Sequence, residues 1–406
     1  FGTSHVGALI GKAINTMIRN IIIDNANIGS DGSGSYLGGI VGYMQNCQIN
    51  KSAFEGYFTT YQNVSNAGGI AGYAVASTID SSFSKNPFVD ILGNGHKIGG
   101  LIGEGVDLNI SNSYSTIDIN NLTISHFGGL IGYLHGTTSL IQNCYTQGFI
   151  ENSNDTTGGF IAYAENCTIR NCYSNCEIVQ PNQHAFIKYA NNVTLENCYF
   201  NKQNAPTDTY AIGLNPIKFA RKRTFQGWDF ESVWNINEFG SYPYLQWQTD
   251  ISHNQYDFPY QVDGDGNKYG VIEIGGVMIL DENLMTTKFN NGTPINNVTD
   301  SSDWTNQAGP AYCWYNNDSA SYARPFGALY NHYVINGPIC PGSFVPITNA
   351  ILNTILTRLA NDGYSTNPGF ALKSRNVWNN PGNDDYGFEG FPSGWRDQSG
   401  LFKNNG

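Results

Sequence analysis

A short acidic segment at residues 263–267 has the residue types and spacing of a cation-binding loop. Asp263, Asp265 and Asn267 alternate there with glycines, and carboxylate and amide oxygens are the ligands that calcium prefers. A loop of the EF-hand type also needs a carboxylate at its twelfth position, where this chain has Ile274. Two interpretations remain open: a tight turn that begins a β-hairpin, or a weak calcium site completed by oxygens from elsewhere. The sequence suggests no other cofactor.

The cysteines and histidines do not form a recognisable catalytic or metal-binding pattern. The eight cysteines include no Cys-x-x-Cys pair and no metal-type spacing with histidine. Cys144, Cys172 and Cys198 recur at one position of a repeated motif, which predicts buried unpaired thiols or a disulfide between neighbouring copies. Cys313 and Cys340 have no basic neighbour in the sequence that would lower a thiol pKa, so a structural role is expected for both.

Acidic residues are spread along the first half of the chain rather than gathered. Solenoid enzymes that cleave polysaccharides need several carboxylates or basic groups on one sheet. Here acids such as Asp118 and Glu177 are isolated and belong to no recurring set. The pattern therefore favours a protein without catalytic activity, and a polysaccharide-degrading enzyme remains an alternative.

The composition is that of a polar, weakly charged β-protein. Of 406 residues only 13% are charged, whereas glycine (47) and tyrosine (25) are abundant. Such a chain should form two or three domains, and its composition suits an extracellular protein. The net charge of −12 disfavours binding to nucleic acid or to anionic membranes. The sequence has no apolar run of about 20 residues, so membrane insertion is not expected.

A six-residue motif organises the first 204 residues. It reads Gly-Gly-Leu-Ile-Gly-Tyr at residues 128–133 and returns at a spacing close to 30 residues. Further copies lie at residues 38–43, 68–73, 99–103 and 158–163, with degraded copies at 7–11 and 184–189. Because each copy is too short to bury a core alone, neighbouring copies are predicted to stack. The chain begins inside a degraded copy, so a native N-terminus further upstream is expected.

Two further short segments follow each glycine motif. One reads Ile-x-Asn-Cys-Tyr at residues 141–145 and 169–173, and the other is a short apolar strand such as residues 149–150. Three short strands per 30 residues predict one coil of a β-solenoid, and thus about seven coils in residues 1–204. Stacking of like residues predicts an asparagine ladder of Asn112, Asn143, Asn171 and Asn197, and an inward column of Ser113, Cys144, Cys172 and Cys198.

The glycine motif and its Asn-Cys-Tyr partner resemble the GLUG repeat of bacterial surface and secreted proteins. The resemblance covers about half of the chain. It implies a β-solenoid and a location outside the cell or at its surface, and it implies no catalytic activity.

Residues 205–255 interrupt the repeat with an aromatic segment that includes Trp228, Trp234 and Trp247. A solenoid leaves unpaired backbone groups at its end, and something must cover them. The segment is therefore predicted to be a cap followed by a linker. Sugar binding by its tryptophans is the alternative.

Residues 256–406 lack the repeat and are predicted to form a second domain. Ordered motifs at residues 262–274, 281–288, 311–318, 326–331 and 339–341 resemble the Fibrobacter succinogenes major paralogous domain. That family implies a mixed α/β, C-type-lectin-like fold with long loops. Residues 349–361 carry apolar side chains at helical spacing and are predicted to be a helix. The Trp-Ser-Ser strand of the family does not occur before residue 406, so the domain is predicted to be C-terminally incomplete.

The glycine motif also predicts a partner surface. Alternate residues of a strand face opposite sides, yet Leu130, Ile131 and Tyr133 are all large and apolar or aromatic. One apolar column is therefore expected on the outside, beside a partner surface formed by Tyr43, Tyr73, Tyr133 and Tyr163. Such a stripe is expected to be covered by another protein or by a missing segment, and the alternative is cover by the cap, the second domain or a loop of this chain.

These patterns together predict a mainly β fold with a seven-coil solenoid, an aromatic cap and a lectin-like domain. The expected function is that of a secreted or cell-surface structural and adhesive protein. Its expected partners are other surface proteins, copies of itself or carbohydrate. A subunit of an extracellular filament is the first alternative, and the polysaccharide-degrading enzyme is the second.

Overall fold

The computed structural model describes residues 4–30, 35–60, 64–85, 88–91, 96–122, 125–152, 156–180, 182–205, 208–375 and 377–403. The chain divides into two compact units, one of residues 1–238 and 242–255 and one of residues 239–241 and 256–406. Among the described residues, no helix combines the length and the apolar character needed to cross a membrane.

The first unit is a β-solenoid of about six turns, made of three parallel sheets. The first sheet contains the strands His5–Gly7, Ser35–Gly38, Val64–Gly68, Lys97–Gly99, His126–Gly128 and Thr157–Gly158. The third sheet contains Ile22–Ser30, Ala53–Thr60, Phe83–Lys85, Phe88–Ile91, Tyr114–Leu122, Tyr145–Asn152, Tyr173–Ile178, Tyr199–Asn201 and Ile212–Leu214.

The second sheet consists of two rows. The first row contains Ile10–Ile14, Val41–Gln45, Ala71–Val75, Ile102–Val106 and Ile131–His135, and the second row contains Met17–Arg19, Gln48–Asn50, Thr78–Asp80, Asn109–Ser111 and Ser139–Gln142. The long strands Ile161–Arg170 and Ile187–Glu196 belong to both rows. Seven strands therefore stack in the first row with six turns between them, which is why seven copies of the motif make about six turns.

The expected apolar column on the outside is wrong, because both apolar columns of the glycine motif lie in the core. Leu130 and Ile131 are fully buried by this chain, as are Ile40, Val41, Ile70, Leu101, Ile102, Phe160 and Ile161. The reason is a corner: residues 129–130 lie between the strands His126–Gly128 and Ile131–His135 and belong to neither. The alternation of side chains restarts at this corner, so two successive residues point inward. Only the tyrosine of the motif stays partly exposed.

Glycines let the main chains approach closely at the corner. A β-carbon on Gly132 would lie 2.5 Å from the Ile98 nitrogen and 2.7 Å from the Gly103 oxygen. A β-carbon on Gly100 would lie 2.1 Å from the Gly129 oxygen in the next turn. Because these neighbours are main-chain atoms, they cannot rotate away to make room. The glycines are therefore required by packing between strands.

Asparagines form the turns, as the predicted ladder requires. Asn143 donates its side-chain amide to Asn112 Oδ1 at 3.1 Å, and Asn197 donates to Asn171 Oδ1 at 3.4 Å. The ladder is confirmed for these two pairs. All four residues have φ between 48° and 53°, a left-handed conformation that asparagine tolerates better than most residues. A second column with the same conformation contains Asn15, Asn46, Asn166 and Asn192.

The predicted inward column of Ser113, Cys144, Cys172 and Cys198 is confirmed, since all four side chains are buried. Each donates to the main-chain carbonyl two residues earlier, at 2.7, 3.1, 3.2 and 3.4 Å respectively. All eight cysteines are free thiols. Burial, with neighbouring thiols, raises the pKa of Cys172 well above its ordinary value. The structure therefore matches the interpretation of unpaired, unreactive thiols.

The aromatic segment lies mostly along the side of the solenoid. Its regular elements are the helix Pro216–Phe219, the 3₁₀ helices Lys222–Thr224 and Ser252–Asn254, and the paired strands Trp234–Asn235 and Tyr244–Leu245. It covers an outward column of the third sheet formed by Phe83, Tyr114, Tyr145, Tyr173 and Tyr199. Trp247 donates its indole N–H to the Asn112 carbonyl at 3.0 Å, and the Tyr173 hydroxyl donates to the Pro243 carbonyl at 2.7 Å.

The end of the last turn is covered by the first residues of the 205–255 segment. Asp208 Oδ2 accepts the main-chain N–H groups of Phe186 and Ile187 at 2.7 and 3.1 Å. The strand Ile212–Leu214 pairs in parallel with Tyr199–Asn201 and so extends the third sheet. Covering the end and covering the side are thus performed by different parts of residues 205–255.

The second unit has short elements joined by long loops. Its strands are Tyr260–Val262, Lys268–Ile274, Val277–Leu280, Asn296–Asn297, Ala311–Cys313, Leu329–Tyr330, Trp395–Arg396 and Phe402–Lys403. Its helices are Ser301–Thr305, Ser319–Tyr322, Asn349–Leu359 and Pro368–Leu372, with 3₁₀ helices at Tyr315–Asn317 and His332–Asn336 and a π-helical turn at Ala360–Tyr364. The predicted helix is therefore present and ends two residues early.

That helix packs on one of the two small cores in this unit. Thr348 caps its first turn by accepting the N–H of Ile351 at 3.3 Å. Ile355 and Leu359 are buried with Ile274 and Ile279, whereas Leu352 and Leu356 are exposed. A second core contains Phe289, Ile295, Tyr312, Val334 and Ile339.

Replacing Gly132 by valine should destabilise the solenoid by about 1–3 kcal/mol, because the new side chain would overlap main-chain atoms of the first sheet. Gly309→Val is a suitable control, since the nearest atom to a β-carbon there is a side-chain nitrogen 3.6 Å away. Chemical unfolding followed by circular dichroism measures both variants. Equal stabilities of the two variants would contradict the packing explanation.

Acidification should weaken the contact between the aromatic segment and the solenoid through His253. Its Nε2 lies 3.0 Å from the Tyr145 hydroxyl, and burial lowers the pKa of His253 from 6.5 to about 4. A histidine held neutral in the folded state stabilises it fully above pH 6.5, and this contribution is lost as the pH falls towards 4. From about pH 7.5 to about pH 4.5 the loss should be about 2–3 kcal/mol.

His253→Gln keeps a polar side chain but removes this titration. Urea unfolding at both pH values should show a smaller loss of stability in the variant than in the wild type. An identical pH dependence of the two proteins would rule out His253 as the cause.

Candidate functional site

The four tyrosines predicted as a partner surface lie together on the outside of the solenoid. They occupy the same outward position of the first row of the second sheet, where Tyr43 pairs with Tyr73 and Tyr133 pairs with Tyr163. Lys12 and Tyr189 hold this position in the first and last strands of the row. We call this column, with the side chains that touch it from the first sheet, the tyrosine face.

The rings of the tyrosine face stack on one another along the solenoid axis. The centroids of Tyr43 and Tyr73 are 5.5 Å apart with the rings 5° from parallel, and those of Tyr133 and Tyr163 are 4.5 Å apart at 8°. Tyr36 of the first sheet stacks on Tyr73 at 5.1 Å. Partial burial raises the pKa of Tyr73 and Tyr133, so these side chains are phenols at neutral pH. Ring faces are thus turned to each other and ring edges to solvent.

Glu104 interrupts the column between Tyr73 and Tyr133. Its carboxylate is largely buried and is held by Lys97 Nζ at 2.7 Å and by Asn66 Nδ2 at 2.8 Å. His135 Nε2 also lies 3.0 Å from it. Every oxygen of this carboxylate therefore has a protein partner, which suits a structural ion pair better than a catalytic acid.

Lysine and histidine side chains contact the tyrosine rings. The Nζ atoms of Lys12, Lys97 and Lys188 lie 5.0, 4.4 and 5.6 Å from the ring centroids of Tyr43, Tyr133 and Tyr189, respectively. His5, His126 and His135 meet tyrosine rings edge-on at 5.2–5.4 Å. Burial and the nearby Lys12 lower the pKa of His5, and burial and the nearby Lys97 lower the pKa of His126. Neither histidine is therefore charged at neutral pH.

Among the other carboxylates of the described solenoid, Glu55 lies opposite Asp24 on the neighbouring strand and shares Lys85 Nζ with Asp250, at 3.5 and 3.0 Å respectively. Asp80 accepts from Asn50, Ser111 and Asn112 at 2.7–2.9 Å, and Asp107 accepts two main-chain N–H groups that lower its pKa. Asp118 and Glu177 lie on the third sheet with Phe149 between them. Among the residues that the structure describes, no three His, Cys, Asp or Glu side chains gather as a metal site.

The acidic loop at residues 263–267 is a hydrogen-bonded turn. One oxygen of Asp263 accepts the main-chain N–H groups of Asp265 and Asn267, both at 2.9 Å. Its other oxygen accepts from the Asn267 side-chain amide at 2.9 Å and from the Tyr269 hydroxyl at 2.5 Å. Asp265 accepts from Thr287 and pairs with Lys288 Nζ at 3.1 Å. Calcium binding here would require these donors to be displaced, and it stays a prediction.

The second unit contains a largely apolar cavity of about 630 Å³. Tyr330, Trp378, Phe391 and Trp395 line it, and the polar groups at its edge include Asn283. A volume and lining of this kind are typical of small-molecule sites. Cys340 also borders the cavity, and burial raises the pKa of its thiol, so it is not a reactive thiolate.

Sequence reasoning found the tyrosines but missed their charged neighbours. The fourth copy of the glycine motif, at residues 99–103, is followed by Glu104 where other copies have tyrosine. That substitution was visible as a break in the repeat. The contribution of Lys97 and His126 was not visible, because it depends on how closely the first sheet approaches the second.

Comparisons with known proteins assign no family. No protein-family model matches the chain, and no curated protein matches it. Among solved structures, an IgA1 protease is similar over 52% of this chain and 18% of that chain, at 17% sequence identity and a TM-score of 0.29. The chain thus spans less than a fifth of the length of that protein.

Calcium should not change the thermal stability of the protein, because Lys288 and the donors around Asp263 already occupy the loop carboxylates. Differential scanning fluorimetry with calcium chloride, and with EDTA as the control, measures this. Asp265→Asn should lower the melting temperature equally in both solutions. A calcium-dependent rise in the wild type that Asp265→Asn abolishes would establish the site instead.

Proposed function

We propose that this chain is a non-catalytic structural and adhesive protein of the bacterial cell surface or the extracellular space. The observation that carries the proposal is the tyrosine face, an outward column of tyrosines that is interrupted once by Glu104 and that the solenoid core does not need. Repetition of one residue type on an outward position gives the same contact several times, which suits binding by avidity.

The GLUG-like repeat supports the same location and role. Its glycines serve the close approach of strands, its asparagines serve the turns, and its large apolar residues fill the core. None of these roles is catalytic. The tyrosine is the one motif residue left for contact with a partner.

Residues 256–406 are proposed to be the lectin-like head that the solenoid stalk presents. Their short elements, long loops and aromatic-lined cavity of about 630 Å³ support a ligand-binding domain. The resemblance to the Fibrobacter succinogenes major paralogous domain supports the lectin-like fold.

The two alternative functions have less support. A polysaccharide-degrading enzyme needs two carboxylates beside one bond, whereas the oxygens of Glu104 are bound by Lys97, Asn66 and His135. The neighbouring carboxylates Glu55 and Asp250 are both paired with Lys85. A filament built on a bare apolar stripe loses its main support, because both apolar columns of the motif are buried within this chain.

Adhesion of the full chain to intact bacterial and host cells tests the proposal. Tyr43→Ser/Tyr73→Ser should reduce the bound fraction several-fold, because it removes two neighbouring contacts of the column. Tyr57→Ser is the matched control, since Tyr57 is an exposed tyrosine of the third sheet.

The same chain should release no reducing ends from a panel of polysaccharides. Turnover that Glu104→Gln abolishes would establish the enzyme instead. Equal adhesion of the wild type and the double tyrosine variant would contradict binding through the tyrosine face.

A further inference from the structure

The tyrosine face has a different charge from the rest of the chain. Counting the neighbouring residues of the same strands, it carries the three lysines that lie over tyrosine rings, Lys12, Lys97 and Lys188, against two carboxylates, Glu104 and Glu165. The chain as a whole has a net charge of −12. One of the two carboxylates, Glu104, is largely buried and neutralised by Lys97 at 2.7 Å. This face is therefore a weakly cationic strip on a strongly acidic protein.

The groups that this strip offers to a ligand are hydrogen-bonding as well as cationic. The stacked tyrosines turn their edges outward, and a phenol hydroxyl both donates and accepts a hydrogen bond. Gln45 already accepts from the Tyr43 hydroxyl at 3.2 Å, and Asn191 donates to Glu165 at 3.0 Å, so amides lie beside the column. Such a mixture of hydroxyl, amide and ammonium groups matches a ligand rich in hydroxyls that also carries negative charge.

The spacing of these groups constrains the shape of the ligand. Equivalent tyrosines of neighbouring turns lie 4.5–5.5 Å apart and run parallel to the solenoid axis. A compact ligand could contact only one or two of them. An extended chain of sugar residues laid along the axis could contact one turn after another.

From these observations we propose that the tyrosine face binds an acidic polysaccharide that lies along the solenoid axis. The ligand class is a linear glycan with carboxylate groups, such as a polyuronate. Its carboxylates would pair with Lys12 and Lys188, since Lys97 is already paired with Glu104, and its hydroxyls would hydrogen-bond to the tyrosine edges. This inference rests on the proposed adhesive function and specifies the ligand of that surface.

Two expected properties distinguish specific binding of an acidic polysaccharide from nonspecific adhesion. First, a protein with a net charge of −12 should be repelled by a polyanion, so binding requires a local cationic strip. Second, a repeating ligand on a repeating surface should bind more tightly as the ligand grows longer, until it spans the column.

Binding of the full chain to immobilised polygalacturonate, measured by biolayer interferometry, tests the proposal. A neutral β-glucan of similar length is the control ligand. We expect binding to polygalacturonate alone, weakened at least about tenfold between low salt and about 0.5 M sodium chloride by screening of the ion pairs. Soluble oligogalacturonates should compete better as their length increases.

Matched variants locate the site. Lys12→Gln/Lys188→Gln should weaken binding about tenfold, because both lysines that would pair with the ligand are lost. Lys51→Gln is the control, since Lys51 is an exposed lysine in a turn between the second and third sheets. Tyr43→Ser/Tyr73→Ser should also weaken binding, and thermal melting of each variant establishes that it is folded.

Failure to bind polygalacturonate, or equal binding of the neutral glucan, would overturn the proposal. So would an equal effect of Lys51→Gln and the double lysine variant. If cell adhesion still depends on Tyr43 and Tyr73 in any of these cases, the proposed adhesive function stands and only its acidic ligand is wrong.

Discussion

The close approach of main chains at the glycine corner is the constraint on which the rest of the solenoid depends. At Gly100 and Gly132 a β-carbon would lie within 2.1–2.7 Å of main-chain atoms in a neighbouring turn. This approach lets the chain turn sharply between the first and second sheets, so that Leu130 and Ile131 both enter the core. Once the corner is fixed, every turn places the same residue types at equivalent positions of the coil. Equivalent side chains of successive turns therefore stack on one another.

The stacking explains why polar residues are tolerated at interior positions of the turns. Ser113, Cys144, Cys172 and Cys198 are buried, but each donates to a carbonyl two residues earlier. A buried polar group is costly only when it lacks a hydrogen-bond partner. The repeat supplies that carbonyl in every turn. Serine and cysteine can therefore replace each other at this position, and the buried hydroxyl or thiol keeps its hydrogen-bond acceptor.

Much of the solenoid could be predicted from the sequence, because its information is periodic. The spacing of the glycine motif predicted one solenoid coil per repeat, and the recurrence of Asn143 and Asn171 predicted the asparagine ladder. The sequence did not reveal that Leu130 and Ile131 point the same way, since strict alternation holds only within a strand and the corner breaks it. It also did not show that residues 205–255 cover the side of the third sheet, because this contact depends on long-range packing of Trp228, Trp234 and Trp247.

The site was predicted less completely for the same reason. Tyr43, Tyr73, Tyr133 and Tyr163 repeat and so could be found, whereas Lys97 and Glu104 matter only through their contact across two sheets. The acidic loop shows a similar dependence. Asp263, Asp265 and Asn267 have the local spacing of a cation loop, but the sequence did not show that Lys288, from a later segment, pairs with Asp265. Local patterns indicate candidates, and distant partners decide which of them are available.

The solenoid carries two tyrosine columns of similar geometry, and their surroundings differ. The column of Tyr114, Tyr145 and Tyr173 stacks at 4.9 Å and is buried beneath the aromatic segment of this chain. Burial raises the pKa of Tyr145 well above its ordinary value, and Gln248 donates to its hydroxyl at 2.8 Å. The column of Tyr43 and Tyr73 stacks similarly but remains half-exposed. The same stacking geometry therefore occurs both beneath the aromatic segment and at a partly solvent-exposed position of this solenoid.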